Sequence, residues 1–170
     1  MIEVREEKLQ DHEDISTILQ KAFGGEDEVK LVSRIRESCH FVPELSLVAL
    51  HNRRDPVGYI LFSEITISTE KEKLTSLALA PVAVVPELQG EGVGSMLIKD
   101  GMMRATSLGY RHVVVLGHQD YYPRFGFVPA SEQNISGPFD AGEAFMVKEL
   151  KKDALKDVSG EVIYPNAFGV

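Results

Sequence analysis

The segment Val82-Ala83-Val84-Val85-Pro86-Glu87-Leu88-Gln89-Gly90-Glu91-Gly92-Val93-Gly94-Ser95-Met96-Leu97-Ile98 passes from a valine-rich run into a turn announced by Pro86. Three glycines at alternate positions then lead into an amphipathic helix. The apolar run reads as a buried strand. A glycine-rich connection into a helix start gathers free backbone N–H groups at the positive end of the helix dipole, which suits phosphate oxygens. A side chain at Gly90, Gly92 or Gly94 would hold a phosphate away from that backbone. Glycines that only let helix and strand pack closely are the other reading of the same letters.

The kind of phosphate site can be narrowed. A Walker-type loop ends in Gly-Lys-Ser/Thr, whereas Gly94 is followed by Ser95-Met96. A dinucleotide fingerprint needs Gly-x-Gly-x-x-Gly directly after its strand, and here the last spacing differs and Pro86 to Gln89 intervene. The pattern that fits is Gln89-x-x-Gly92-x-Gly94, which resembles the acyl-CoA signature Gln/Arg-x-x-Gly-x-Gly/Ala of the GNAT superfamily of N-acetyltransferases. The resemblance extends upstream to Leu79-Ala80-Pro81-Val82-Ala83-Val84. It extends downstream to Tyr121-Tyr122-Pro123-Arg124-Phe125-Gly126-Phe127, similar to that family's Tyr-x-x-x-Gly-Phe element. The two motifs stand in the family's order about 30 residues apart, and the match covers roughly residues 2 to 148.

Leu74 to Val85 reads as a long apolar strand, expected to be central and covered on both faces. Pro81 within it cannot donate a ladder hydrogen bond and implies a bulge or a local loss of pairing. Before it, Leu45 to Leu50 and Val57 to Ile67 read as an antiparallel hairpin across the break Asn52 to Pro56. The helix after the glycines carries Leu97, Ile98, Gly101, Met102, Ala105 and Leu108 on one side, with Gly109 as its stop. Gly101 in mid-helix costs ~1 kcal/mol relative to alanine, so close packing on the sheet is its expected purpose. Val113 to Leu116 follows as a strand parallel to its predecessor, because a helix joins them. Gly117-His118-Gln119-Asp120 leaves its C-terminal end, where ligands of parallel strands sit. Phe127-Val128-Pro129 and Phe145-Met146-Val147 read as a closing pair.

At the N-terminus, Ile2 to Arg5 alternates like a half-buried strand. Asp11 reads as the cap of a helix whose stripe is Ile15, Ile18, Leu19, Ala22 and Phe23, ended by Gly24-Gly25. A second helix is expected from Glu26 to about Ser38.

The chain's 170 residues are 44% hydrophobic and 26% charged, the composition of one globular domain spanning 1–170. With 18 Lys+Arg against 26 Asp+Glu, the net charge is -8, which argues against nucleic acid and weakly for cationic partners. Cys39 is the only cysteine, so no intrachain disulfide forms, and a semi-buried structural thiol is expected. The charged start Met1 to Glu7 has no apolar signal core and no run reaches membrane-span length, so a cytoplasmic protein with no membrane partner is expected. His112, His51, Cys39 and the scattered acids show no metal-site spacing.

The family resemblance implies a mixed α/β fold, a mostly antiparallel central sheet with a splayed parallel strand pair, flanked by helices. It implies acetyl-CoA as cosubstrate and direct transfer of its acetyl group to a primary amine, on a small molecule or a protein, in a ternary complex. Backbone groups of Val82, Ala83 and Val84 would face the pantetheine amides, and Gln89, Gly90, Glu91, Gly92, Val93, Gly94 and Ser95 would hold the phosphates. Tyr122, four residues before Gly126, takes the position of the acid that protonates the departing thiolate, with Tyr121 as its neighbour. No acid lies on Leu74 to Val85, so the base stays open: Glu64 acting through water, His118, or water alone. A non-catalytic acyl-CoA-binding sensor or interaction module is the alternative, and both a monomer and a homodimer fit.

Overall fold

In a computed structural model, which describes residues 1–138 and 140–170, nine strands form one sheet. β1 (Ile2–Glu6) is followed by helices α1 (His12–Phe23) and α2 (Asp27–Arg36). The meander β2 (Ser46–His51), β3 (Asp55–Thr69) and β4 (Lys73–Val84) leads into α3 (Val93–Ser107) and β5 (His112–Leu116). Short β6 (Val128–Pro129) and β7 (Ile135–Ser136) precede β8 (Phe145–Glu149) and β9 (Gly160–Ile163). The order is β1-β2-β3-β4-β5-β8-β6, with β9 paired to the far half of β3 and to β7. Neighbours β1 to β4 are antiparallel, and β4 with β5 is parallel. The mixed α/β architecture expected from the sequence is therefore present.

Alternation along β3 sorts the helices onto two faces. Gly58 and Phe62 meet α3, and a Cβ on Gly101 would stand 2.2 Å from Cε1 of Phe62. Helix and sheet approach so closely there that only glycine fits, the purpose expected for it. Tyr59 turns the other way, where its phenol and the Ser46 hydroxyl both donate to the carboxylate of Glu7. Glu7 also pairs with His12 at 2.6 Å and Arg36 at 3.1 Å, fastening α1 and α2 to β1. A buried carboxylate needs such partners to offset its lost hydration.

Several local expectations change. Asp11 does not cap α1; its carboxylate accepts from the Lys8 N–H and from Arg5, closing the 3-10 turn before the helix. Cys39 is exposed rather than semi-buried. Leu108 and Phe23 are 44% and 46% exposed, because the apolar stripes of α3 and α1 run past the edge of what the sheet covers. The polar C-terminal segment supplies β9, which pairs Gly160 to Ile163 with Thr69 to Thr66 and extends the sheet where β2 has ended.

Candidate active site

β4 and β5 are hydrogen-bonded neighbours at only two register positions, Leu77–Val113 and Ala78–Val114. Beyond them Pro81 has no N–H to give. The register to β3 passes from Ile60–Val82 to Phe62–Leu79, so Ala80 and Pro81 together oppose the single residue Leu61. This bulge bends β4 away from β5. Val82, Ala83 and Val84 remain paired to β3 through Ile60, Tyr59 and Gly58, while their β5-side edge has no strand partner among the described residues. A cleft of about 440 Å³ opens at the fork, walled by β4 from Leu79 to Val82, by Leu116 at the end of β5 with Gly117 and His118 after it, and by Tyr121 and Tyr122. Phe23, Glu28 and Leu31 close it from α1 and α2.

Tyr122 begins a 3-10 turn, Tyr122–Phe125, whose entry is fixed by the N–H groups of Tyr121 and Tyr122, both donating to the His118 carbonyl at 3.2 Å. Its ring packs edge-on to Tyr121 and Phe127. Gly117 makes the room, since a Cβ there would stand 2.3 Å from Cε2 of Tyr122. Burial, assisted by the Tyr121 phenol, pushes the Tyr122 hydroxyl up to about 12. The group is therefore a neutral phenol at every physiological pH, able to donate and not to act as a base.

A second cavity of about 280 Å³ lies at the N-terminus of α3. Val84, Gln89, Gly90, Gly92, Gly94 and Ser95 line it, with Leu88, Tyr121 and Arg124. Gly90 and Gly92 adopt φ of +83° and +88°, the left-handed region that glycine enters without strain. Gln89 braces the loop, its amide donating to the Val84 carbonyl at 3.1 Å. Gly92 O accepts from the Met96 N–H, so the N–H groups of Val93, Gly94 and Ser95 have no helical acceptor. A Cβ on Gly94 would lie 3.4 Å from the Tyr121 hydroxyl and 3.7 Å from Val84 Cγ2, intruding on this cavity. The Arg124 guanidinium stacks over the Tyr121 ring at 4.7 Å and is the cation of the group. Tyr121 lines both cavities and so joins them. Free amides, a cation and a glycine-lined wall suit a phosphorylated ligand, and the unpaired β4 edge suits an amide-bearing arm running from that cavity into the cleft.

Glu91 is exposed, and the Val93 side chain is buried against Gly58, leaving only its backbone toward the cavity. Glu64 lies outside the cleft lining, and its carboxylate accepts from the Tyr110 phenol at 2.5 Å. Burial and that carboxylate raise the Tyr110 phenol far above its ordinary range. His118 stands on the cleft rim. Sequence reasoning places Gly117 at the ligand end of β5 but misses that it houses the Tyr122 ring, and it misses Arg124 within the quoted aromatic motif. It also missed Phe23, Glu28 and Leu31, for which no local signal exists, because they reach the cleft only through the packing of α1 and α2.

The sequence model of the acetyltransferase (GNAT) family matches residues 12–127. Two Escherichia coli proteins described as uncharacterized N-acetyltransferases are similar to the chain. YjhQ is 40% identical over 134 residues, 78% of this chain and 74% of its own. YhbS is 34% identical over 155 residues, 91% of this chain and 90% of its own. The crystal structure of Escherichia coli YhbS in complex with CoA superposes with a TM-score of 0.90 at 31% identity, covering 99% of this chain and 92% of that one. A GNAT family acetyltransferase from Brucella melitensis in complex with acetyl-CoA gives 0.78 at 28% identity, covering 99% and 98%.

Proposed function

The chain belongs to the acetyltransferase (GNAT) family, and from that premise we propose that it transfers the acetyl group of acetyl-CoA directly to a primary amine held in the fork of β4 and β5. The observation that carries this proposal is continuity: the glycine-lined cavity and the cleft share Tyr121, and the unpaired edge of β4 runs between them. CoA in YhbS and acetyl-CoA in the Brucella melitensis protein support the identity of the ligand.

Acetyl-CoA supplies a thioester carbonyl open to attack and a thiolate leaving group. In the proposed arrangement the amides of Gly94 and Ser95 and the Arg124 guanidinium hold its phosphates, and Val82 to Val84 hold the pantetheine arm by backbone pairing. Tyr122 donates the proton that the sulfur gains as the carbon–sulfur bond breaks and the carbon–nitrogen bond forms, and the phenolate is refilled from water. A phenol near 12 suits this role because the burial that disfavours a phenolate disfavours a thiolate beside it as well. The amine sheds its proton to water, since Glu64 lies outside the cleft lining and is engaged by the Tyr110 phenol.

A reducing cytoplasm is the proposed setting, since Cys39 is an exposed lone thiol and no helix among the described residues is long and apolar enough to cross a membrane. The net charge of -8 supports action without nucleic acid. The proposed assembly is a monomer or a homodimer. The test is thiol release from acetyl-CoA across an amine library, with mass spectrometry of the acetylated product. Binding of acetyl-CoA with no acetylated amine from any library member would overturn the proposal.

A further inference from the structure

Resting on that proposal, we infer that Glu28 selects the acceptor, and that the acceptor is a cationic primary amine carried on a compact apolar body and free of carboxylates. The cleft is walled by side chains of opposite character. Phe23 and Leu116 are each 46% exposed at its mouth, large apolar groups left facing water from α1 and β5. Leu31 and Pro81 continue the apolar surface from α2 and β4. An apolar acceptor body laid between these walls would remove surface that the folded chain otherwise leaves wet.

Among the described residues Glu28 is the one carboxylate lining this cleft. It shares a helical face with Leu31, three residues on. Half-buried in the first turn of α2, it is engaged by no hydrogen bond or ion pair among the described residues. This contrasts with Glu7 and Asp11, acids near these helices whose side chains are well buried and which are both held by arginine. A half-buried carboxylate without a partner, set in an apolar wall, favours an ammonium and disfavours a second carboxylate. The net charge of -8 adds a long-range attraction of the same sign.

The experiment compares 2-phenylethylamine, phenylalanine and glucosamine as acceptors for the wild type and Glu28→Gln. These are a cation on an apolar body, the same body with a carboxylate, and a cation on a polar body. In the wild type, kcat/KM for 2-phenylethylamine should exceed both others by about tenfold or more. Glu28→Gln should raise its KM about tenfold, leave the acetyl-CoA dissociation constant unchanged, and narrow the gap to phenylalanine, since the repulsion goes with the charge. A merely structural glutamate would disturb acetyl-CoA binding or all three amines equally. Wild-type use of phenylalanine or glucosamine within threefold of 2-phenylethylamine, or a Glu28→Gln KM within twofold of wild type, overturns the inference. Transfer to other amines but not to 2-phenylethylamine overturns it too, while the acetyltransferase proposal stands. Only the failure of every amine overturns both.

Discussion

Nδ1 of His112 lies 2.6 Å from Oγ of Ser76, and the Ser76 hydroxyl donates in turn to the His112 carbonyl at 3.2 Å. The pair ties β5 to β4 beside Leu77–Val113, at the closed end of the fork. His112 is 2% exposed. Burial first, and then the Arg111 charge, hold its imidazole below the ordinary value, with Glu149 opposing them. The unfolded chain therefore binds a proton more readily than the native one. Stability should be full above about pH 6.5 and fall as the pH drops below it, by at most ~1.4 kcal/mol per unit. Urea unfolding midpoints at pH 7.5 and 5.5 check this. His112→Asn should lose much of the difference, and an equal difference in the variant would reject the assignment.

Gly101 gives a second test. Alanine there improves helix propensity by ~1 kcal/mol, yet its Cβ would meet the fully buried Phe62 ring at 2.2 Å. Overpacking should win, leaving Gly101→Ala less stable by about 1–3 kcal/mol. Adding Phe62→Leu should recover part of the loss in a double-mutant cycle. A more stable single variant would mean that helix and sheet can separate freely.

The sequence made the fork legible because its causes are local. A proline in an apolar strand and a helix between two strands are each visible in a short window, and both motifs fall where the cavities are. What stayed hidden depends on packing between distant segments. Asp11 looks like a helix cap until Arg5, six residues earlier, is seen to claim it. Glu28 is one acid in a charged helix until α2 is laid over the fork. The polar tail after Lys151 offers little strand pattern, and only the long unpaired end of β3 makes a strand of it.

The proposal that the cavity at the start of α3 takes the phosphates predicts a split between ligands. Gly94 has no positive φ, so Gly94→Val keeps the helix while its methyl groups fill the space beside Tyr121 and Val84. Gly92→Val would be a poorer probe, because φ of +88° strains any β-branched residue. Gly94→Val should weaken acetyl-CoA binding at least tenfold. Arg124→Ala should weaken it roughly three- to tenfold, between an exposed ion pair and a charge-assisted hydrogen bond. Turnover of acetyl-pantetheine, which lacks the phosphates, should change less than twofold in both. Calorimetric titration and steady-state kinetics decide it, and equal losses with both thioesters would remove the phosphates from this cavity.

Tyr122→Phe tests the chemistry itself. The substitution keeps the ring against Gly117, Tyr121 and Phe127 and removes only the hydroxyl. If that hydroxyl supplies the proton to the departing sulfur, kcat should fall about 10²-fold or more. The acetyl-CoA dissociation constant should barely move, since the lost interaction belongs to the transition state. The pH profile carries an independent sign. The neutral phenol is the working form, and burial extends it up to about 12. Wild-type kcat should therefore show no alkaline decline from this group below about pH 11. Tyr121→Phe is the control; it keeps the ring that carries Arg124 and removes only the hydroxyl over Gly94, so it should act on acetyl-CoA affinity more than on kcat. Should Tyr122→Phe keep more than half of wild-type kcat where chemistry limits the rate, the phenol is a packing group. The sulfur would then leave toward water or the backbone donors at the start of α3.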